Sequence, residues 1–452
     1  MQDVLKYCDE HADEAVAKLI ELCSFDTVSA QGRAIGETSE WVSAELRALG
    51  FEVQVLPKPE GPPAQPVVYA EAKGTSPKTL LFYDHYDVQP EEPLDLWKTP
   101  PFEPVRKDGK LYGRGVSDNK GNIAARLAAI KAWRETRGDL PCGIKFCIEG
   151  DEEIGSPHME AFVERHKELL AADACIWEGG GVTWEGIPMV TLGVKGLLYV
   201  QVEVETISHD AHSSYGTVLP NAAWRLVWAL STIKGPDERI MIDGFYDEVR
   251  PPTPDERAAV EKLPHDDPST LKAYGIERST TGVTGLDYNL RHLFEPTATI
   301  DGLSAGYEGE GAKTVLPARA MAKIEFRLVN DQDPHDIQRK LRAHFDKHGF
   351  SDVKTDNYTL EHPARSSITD PLVGVMVEAC REVYGRDPVI TPTMAGTGPL
   401  YPFVTTLGLP TADIGIGYPD AAIHAPNENI RLGDFLSGTK AIAALLGKFG
   451  GS

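Results

Sequence analysis

Apolar residues along the chain follow two periodicities, and each predicts a different kind of element. In residues 3–23 and 122–133 the apolar side chains recur every three or four positions, as on one face of an α-helix. Continuous apolar runs at 79–83, 144–148 and 174–177 are typical of strands buried on both faces. Because strands and helices alternate, the pattern predicts an α/β layer with a mixed, mainly parallel sheet flanked by helices.

The pattern changes after Lys195. Residues 197–206 and 320–329 alternate between apolar and polar, which predicts half-buried antiparallel strands. An amphipathic helix is predicted at 334–348, so this part of the chain has α+β character. The α/β pattern then resumes, which predicts a split α/β domain with a second domain inserted into it. The predicted bounds are 1–195 and 357–452 for the α/β domain and 196–356 for the inserted domain.

Composition and charge narrow the class of protein. The chain has 452 residues, of which 41% are apolar and 25% charged, as in an ordinary soluble protein of two domains. Asp and Glu outnumber Lys and Arg by 68 to 45, and the net charge of −23 disfavours nucleic acids and anionic membranes as partners. No apolar run approaches the ~20 residues that cross a bilayer. The acidic N-terminal segment lacks the basic and apolar regions of a secretion signal.

Six cysteines stand at positions 8, 23, 142, 147, 175 and 380, without a Cys-x-x-Cys pair. Cys147 and Cys175 lie within apolar runs, which predicts buried free thiols. Free thiols are typical of a reducing compartment. We therefore expect a cytoplasmic protein.

The apolar run at 80–83 ends in Asp84-His85-Tyr86-Asp87. Residues i and i+2 of a strand face the same side, so His85 could meet a metal ion while Asp87 orients its surroundings. Taken alone, the segment also fits a core strand that ends in a surface histidine. The acidic clusters later in the chain favour the metal site.

Candidate metal ligands follow apolar strands or begin helices at five separate places in the chain. In open α/β sheets such positions converge at the carboxyl edge. Two histidines and three carboxylates are enough for two zinc ions when one carboxylate bridges, and manganese or cobalt would also fit. Taken singly, Glu178 is more simply explained as a solvated carboxylate and His424 as a structural histidine. The set is His85, Asp118, Glu153, Glu178 and His424.

Two acidic segments have alternative interpretations. Asp118 lies between Gly115 and Gly121, where the backbone can approach closely, so it is the best bridging candidate. It could equally be the N-cap of the following helix, and the two roles can coexist. Adjacent residues cannot point the same way, so we assign Glu153 to metal and Glu152 to the general base. The alternative is a solvated acidic loop.

Four motifs occur in an order that is specific for one family. They are His85-x-Asp87-Val88-Gln89-Pro90, Gly113-Arg114-Gly115-x-x-Asp118-Asn119-Lys120-Gly121, Glu152-Glu153-x-Gly155-Ser156 and His424-x-x-Asn427-Glu428. With these motifs the chain resembles the co-catalytic zinc metallopeptidases that include cytosolic non-specific dipeptidase (carnosinase), carboxypeptidase G, aminoacylase and succinyl-diaminopimelate desuccinylase. The resemblance covers nearly the whole chain and implies a catalytic domain at 1–195 and 357–452. It also implies that 196–356 is a lid and the dimerisation surface of a homodimer.

The resemblance implies roles for the site residues. Asp87 would orient the site, Glu152 would be the acid/base, and the bond between Asp118 and Asn119 would be a cis peptide. The implied ligands are His85 and Glu178 as terminal ligands, Asp118 as the bridge, and Glu153 and His424 completing the second zinc.

Two segments of the inserted domain and one loop that follows it also match the family. The loop that begins Ala211-His212-Ser213 resembles one whose histidine enters the neighbouring subunit's site, so His212 would stabilise the oxyanion. Arg327 resembles the arginine that binds the substrate carboxylate, although it could be an ordinary strand residue. The loop Gly396-Thr397-Gly398 resembles the substrate-binding Gly-Ser loop, with Thr397 in place of serine.

The family match leaves the substrate open. Glu178 stands where the dipeptidase branch usually has aspartate, yet the Asp87 motif resembles that branch. We expect metal-dependent hydrolysis of amide bonds in small peptides by a dipeptidase or carboxypeptidase, with water activated by two zinc ions and Glu152 as base. An N-acyl-amino-acid deacylase is the alternative. A third possibility is a non-catalytic relative that only binds its ligand. The intact Glu152 and the complete set of predicted ligands argue against it.

Overall fold

A computed structural model describes residues 1–58, 65–265 and 267–451. Its residues form two compact units. Unit 1 consists of Met1–Gly193, Arg365–Pro392 and Pro399–Ser452, and unit 2 of Val194–Ala364 and Thr393–Gly398.

The strands in chain order are β1 (Glu52–Leu56), β2 (Val67–Ala72), β3 (Thr79–His85), β4 (Val105–Lys107), β5 (Lys110–Tyr112), β6 (Gly143–Glu149), β7 (Ala174–Trp177), β8 (Gly181–Val182), β9 (Pro188–Thr191), β10 (Gly193–Val194), β11 (Gly196–Glu205), β12 (Ala211–His212), β13 (Thr297–Ala305), β14 (Val315–Leu316), β15 (Arg319–Leu328), β16 (Lys354–Glu361), β17 (Ala364–Arg365), β18 (Val389–Thr391), β19 (Thr411–Asp413) and β20 (Asn429–Arg431).

The α-helices are α1 (Gln2–Glu10), α2 (Ala12–Cys23), α3 (Ile35–Ala48), α4 (Lys120–Arg137), α5 (Met159–Arg165), α6 (Lys167–Leu170), α7 (Ala222–Leu230), α8 (Pro254–Val260), α9 (Asp267–Ala273), α10 (Gly285–Phe294), α11 (Pro334–Lys347), α12 (Pro371–Tyr384) and α13 (Leu432–Gly451).

Unit 1 is built on a six-stranded sheet with the order β1-β2-β6-β3-β7-β19. The pairings from β6 through β3 and β7 to β19 are parallel, and the two pairings that involve β2 are antiparallel. Helix α4 packs against α1, α2, α13 and β3, so helices cover the apolar strands. The predicted mixed, mainly parallel α/β fold is confirmed.

One helical prediction is wrong in detail. Residues 3–23 form two helices, because His11 leaves the helical conformation with φ −114° and ψ 18°. Its ring stacks on Tyr7 with 3.8 Å between centroids, and its Nδ1 lies 3.0 Å from the Tyr7 carbonyl oxygen. The apolar periodicity continues across this break, so the sequence pattern contained no sign of it.

Unit 2 contains an antiparallel sheet with the order β13-β15-β11-β16. The alternation predicted for its two central strands places Val200 of β11 opposite Ile324 of β15, and both are buried. Helices α7 and α11 pack on this sheet. The neighbouring residues Tyr199 and Glu325 alternate with the buried ones, as the pleat requires.

All six cysteines are free and buried, which confirms the predicted state of the thiols. Among the residues that the structure describes, helices of the length and hydropathy needed to cross a membrane are absent.

Candidate metal centre

The structure brings the five predicted ligands together in unit 1, with Asp118 between two histidines. His85 Nε2 lies 3.0 Å from Asp118 Oδ1 and 3.2 Å from Glu178 Oε2. The other oxygen of the bridging candidate, Asp118 Oδ2, lies 3.2 Å from His424 Nε2. His424 Nε2 is in turn 3.1 Å from Glu153 Oε2. The two oxygens of Asp118 therefore face two separate pairs of donor groups.

Strand ends and a helix start place these side chains. His85 is the last residue of β3, and Glu178 directly follows β7, which runs parallel to β3. Asp118 precedes α4, and its bond to Asn119 is cis, as the family resemblance implied. The N-cap of α4 is Asn119, so the interpretation of Asp118 as the N-cap is wrong.

Asp87 joins the end of β3 to the acidic turn that follows β6. Its Oδ1 accepts a hydrogen bond from the backbone N–H of Glu152 at 3.2 Å, and its Oδ2 accepts one from that of Glu153 at 3.1 Å. Asp87 Oδ1 also lies 3.4 Å from His85 Nδ1. The Asp87 carboxylate is fully buried, so it fixes the turn and the histidine ring together.

The two adjacent glutamates point to different parts of the site. Glu153 lies with Asp118 and His424, whereas Glu152 Oε2 lies 3.9 Å from His85 Nε2. Among the described residues, two triplets have donor atoms that all lie within 4.8 Å of one another: His85 with Asp118 and Glu153, and His85 with Glu152 and Glu178.

The electrostatics of the cluster favour a cation. Burial and the Glu178 charge hold the pKa of Glu152 well above its usual range, and burial raises the pKa of Glu178 to about 8. Although burial opposes its charge, carboxylates led by Glu178 raise the pKa of His85 well above its usual range. Hydrogen bonds to Asp118 and Glu153 raise the pKa of His424 to about 10. The four carboxyl groups of the cluster thus outnumber its two histidines, which leaves an excess of negative charge that a cation would neutralise.

The donor set fits a divalent metal ion. Among the residues that the structure describes, buried Glu153 Oε1 finds no hydrogen-bond partner, so the cluster contains an acceptor without a donor. Carboxylate oxygens and imidazole nitrogens are the ligands that zinc, manganese and cobalt accept. The His424 side chain is 53% exposed, so one side of the cluster can be reached from solvent within unit 1.

The sequence interpretation gave no role to two amide side chains that contact the ligands. Gln89 Nε2 donates to Glu153 Oε2 at 2.9 Å, and Asn119 Nδ2 donates to Glu178 Oε2 at 3.2 Å. Both amides belong to motifs that also contain a predicted ligand. Their position in these motifs was the signal from which a role beside the ligands could have been predicted. Each one orients a carboxylate oxygen.

Glu428 was also missed. Its buried carboxylate accepts hydrogen bonds from the backbone N–H groups of Gly115, Ser117 and Asp118, at 2.9 to 3.1 Å. Arg114 Nη1 donates to the same carboxylate at 2.9 Å. Glu428 therefore ties the segment that follows His424 to the loop that carries Asp118.

The predicted substrate-binding residues belong to unit 2. Arg327 Nη1 donates to Thr397 Oγ1 at 2.7 Å, so the structure brings these two residues together. Glu325 Oε2 accepts from Arg327 Nη2 at 3.1 Å. Gly396 precedes Thr397 and lines the same cavity as Arg327. His212 ends β12 and is exposed, with its Nδ1 2.8 Å from Ser214 Oγ.

A carboxylate- and histidine-rich cluster at the carboxyl edge of an α/β sheet defines a metal-dependent hydrolase. The profile of Peptidase family M20/M25/M40 matches residues 81–448, and the chain belongs to this family. The resemblance inferred from the motifs is thereby confirmed, and the chain is a metal-dependent peptidase.

Similar proteins align over nearly their full length. The chain is 30% identical to a Beta-Ala-His dipeptidase of Homo sapiens, over 98% of this chain and 92% of that protein. It is 29% identical to a Cys-Gly metallodipeptidase of Schizosaccharomyces pombe, over 96% of this chain and 94% of that protein. The crystal structure of an M20 family metallo-carboxypeptidase from Sulfolobus solfataricus superposes with a TM-score of 0.91 at 36% identity, covering 97% of this chain and 100% of that one.

Proposed function

We propose that the protein is an exopeptidase that hydrolyses dipeptides or removes the C-terminal residue of short peptides, using two zinc ions per subunit. The observation that carries the proposal is Asp118, whose two oxygens face His85 on one side and His424 on the other at 3.0 and 3.2 Å. A carboxylate between two donor sets is the arrangement that a two-ion site needs. Manganese or cobalt would suit the same donors.

The chain offers separate ligands for each ion. His85 and Glu178 would hold one ion, Glu153 and His424 the other, and Asp118 would bridge them. When bound, the ions would polarise the scissile carbonyl and acidify the attacking water.

Glu152 is the general base of the proposed reaction. Its carboxylate takes the proton of the attacking water and returns it to the leaving amine. Asp87 binds the backbone N–H of Glu152 and so holds the base beside His85. Burial and the Glu178 charge raise the pKa of Glu152 above its usual range, and a raised pKa makes its carboxylate a stronger base.

Arg327 is proposed to bind the free carboxylate of the substrate. Its guanidinium is already fixed by Glu325 and Thr397, and it lines a cavity of ≈510 Å³ in unit 2. A fixed arginine fork recognises a carboxylate through paired hydrogen bonds. This favours substrates with a free C-terminus over internal peptide bonds. The named relatives are dipeptidases and a carboxypeptidase, which supports peptides over N-acyl amino acids as substrates.

Unit 2 is proposed to be a lid that also forms a homodimer. Helix α7 exposes Trp224, Val227 and Trp228, and the edge strand β13 exposes Ile300. Exposed apolar helix residues and an open sheet edge are each typical of a surface that another chain covers. In such a dimer His212 would reach the neighbouring subunit and stabilise the oxyanion. The six free cysteines support a cytoplasmic location.

The function is tested with zinc-reconstituted enzyme and three matched substrate sets: dipeptides, the same dipeptides with amidated C-termini, and N-acyl amino acids. Free dipeptides should be hydrolysed fastest, and amidation should lower kcat/KM at least about tenfold because Arg327 loses its partner. Arg327→Met should remove the difference between free and amidated substrates. Hydrolysis of N-acyl amino acids alone would contradict the proposal and favour a deacylase.

A further inference from the structure

The parallel ladder between β3 and β7 stops before either strand ends. The last paired residues are Phe82 of β3 and Ile176 of β7. Beyond that point β3 continues to His85 by pairing with β6, and β7 continues to Trp177 by pairing with β19. The two strands therefore separate at the carbonyl groups of Tyr83 and Trp177. Tyr83 lies two residues before His85, and Trp177 lies one residue before Glu178.

Arg126 of α4 bridges the place where the strands separate. Its Nη1 donates to the Tyr83 carbonyl oxygen at 2.7 Å, and its Nη2 donates to the Trp177 carbonyl oxygen at 2.8 Å. Nη1 also lies 2.5 Å from Asp84 Oδ2. The guanidinium group sits 5.0 Å from the centre of the Phe82 ring, and the side chain is fully buried. One planar group thus spans two strands with two terminal nitrogens.

This arrangement is more specific than core packing requires. Burial of a guanidinium group is unfavourable unless its hydrogen bonds and charge are matched, so an apolar side chain would fill the space at lower cost. Only an arginine fork can donate from two fixed nitrogens to two carbonyl groups at once. Because Arg126 lies on the helix that begins just after Asp118, the same side chain connects the segments that carry three predicted ligands.

We propose that Arg126 is a positioning residue that holds the separated ends of β3 and β7 at the spacing at which His85 and Glu178 bind one ion. His85 Nε2 and Glu178 Oε2 stand 3.2 Å apart across this gap. The inference rests on the metal site proposed above, and it assigns the spacing of two ligands to a residue that touches neither of them.

The test measures zinc affinity by competition with a chelator. In Arg126→Lys the shorter side chain ends in one nitrogen, which cannot donate from the two fixed positions that Nη1 and Nη2 occupy in the guanidinium group, so one zinc ion should bind at least about tenfold more weakly than in the wild type. Arg126→Met combined with Asp84→Asn removes both buried charges together, and it should weaken the same ion without leaving an unpaired charge. Asp84→Asn alone keeps both carbonyl bonds. It should lower the thermal stability, because the buried guanidinium then lacks its counterion, and keep nearly wild-type zinc affinity.

Ile130→Ala is the matched control, because Ile130 is a buried residue of the same helix that has no part in the bridge. It should lower the thermal stability and leave zinc affinity unchanged. Wild-type zinc affinity in both Arg126 variants would overturn the inference while leaving the proposed function intact. A loss of affinity in Ile130→Ala equal to that in Arg126→Lys would also overturn it. A wild-type protein that binds no zinc would overturn the proposed function together with this inference.

Discussion

Gln89 holds Glu153 at two points at once. Gln89 Nε2 lies 2.9 Å from Glu153 Oε2 and 3.0 Å from the Glu153 carbonyl oxygen. A ligand whose backbone and carboxylate are both fixed loses little freedom when it binds a metal ion, so the amide pre-arranges the site. The other carboxylate oxygen of Glu153 has no hydrogen-bond partner within the described part of the chain, so it would be available to a metal ion.

Replacing this amide should weaken metal binding. We expect Gln89→Leu to lower zinc affinity about tenfold, because Glu153 is then free to rotate away from the site. Gln89→Glu should be worse still, since two carboxylates would face each other. Zinc titration against a chelator measures both variants. Equal affinity in Gln89→Leu and the wild type would show that Glu153 is held by its other contacts.

The proposed homodimer predicts complementation between two inactive variants. His212→Ala and Glu152→Gln should each lose activity, but mixed dimers contain one site with an intact Glu152 and a His212 from the partner. Random exchange of subunits should restore about a quarter of the wild-type activity. His209→Ala is the control and should remain active, since the side chain of His209 contacts Ser208 and takes no part in the proposed site. Activity that stays absent after subunit exchange would refute the role of His212 across the dimer.

The stability of unit 1 should depend on pH through Asp413. Burial raises the pKa of this carboxyl from its ordinary value of 3.8 to about 7. The folded protein therefore holds the proton more tightly than the unfolded chain, and the wild type loses stability as the pH rises from about 4 to 7. In Asp413→Asn this loss cannot occur, and the amide oxygen can still accept the bond from the Thr191 N–H at 2.6 Å.

The measurement is the free energy of unfolding at pH 5.5 and pH 8. The advantage of Asp413→Asn over the wild type should be larger at pH 8. Asp173 is a suitable control, because it is exposed and also accepts a backbone hydrogen bond, from Thr79. Asp173→Asn should show no such increase. A constant difference between Asp413→Asn and the wild type would mean that Asp413 ionises freely in the folded protein.

The sequence indicated the positions of the proposed ligands but not the contacts that hold them. His85 and Glu178 could be found because each stands at the end of an apolar run, and His424 because its motif is distinctive. Arg126 gave no local signal, since a charged residue in a helix is usually on the surface. Its burial depends on where two strands separate, which is a tertiary property.

The same reason explains why Glu428 received no role. Its hydrogen-bond partners lie more than 300 positions earlier in the chain, in the loop that ends at Asp118. The local pattern of apolar residues could predict where each loop follows a strand, and the order of the strands could bring both loops to the same edge of the sheet. Only the folded backbone shows that one carboxylate accepts three N–H groups of the other loop.

The central claim is that Glu152 moves the proton while other residues hold the metal. The most direct test is Glu152→Gln, with zinc content and kcat measured on the same sample. The account predicts two zinc ions per chain, as in the wild type, and a kcat lowered by about a thousandfold. Full activity in Glu152→Gln, or loss of zinc in proportion to the loss of activity, would contradict it.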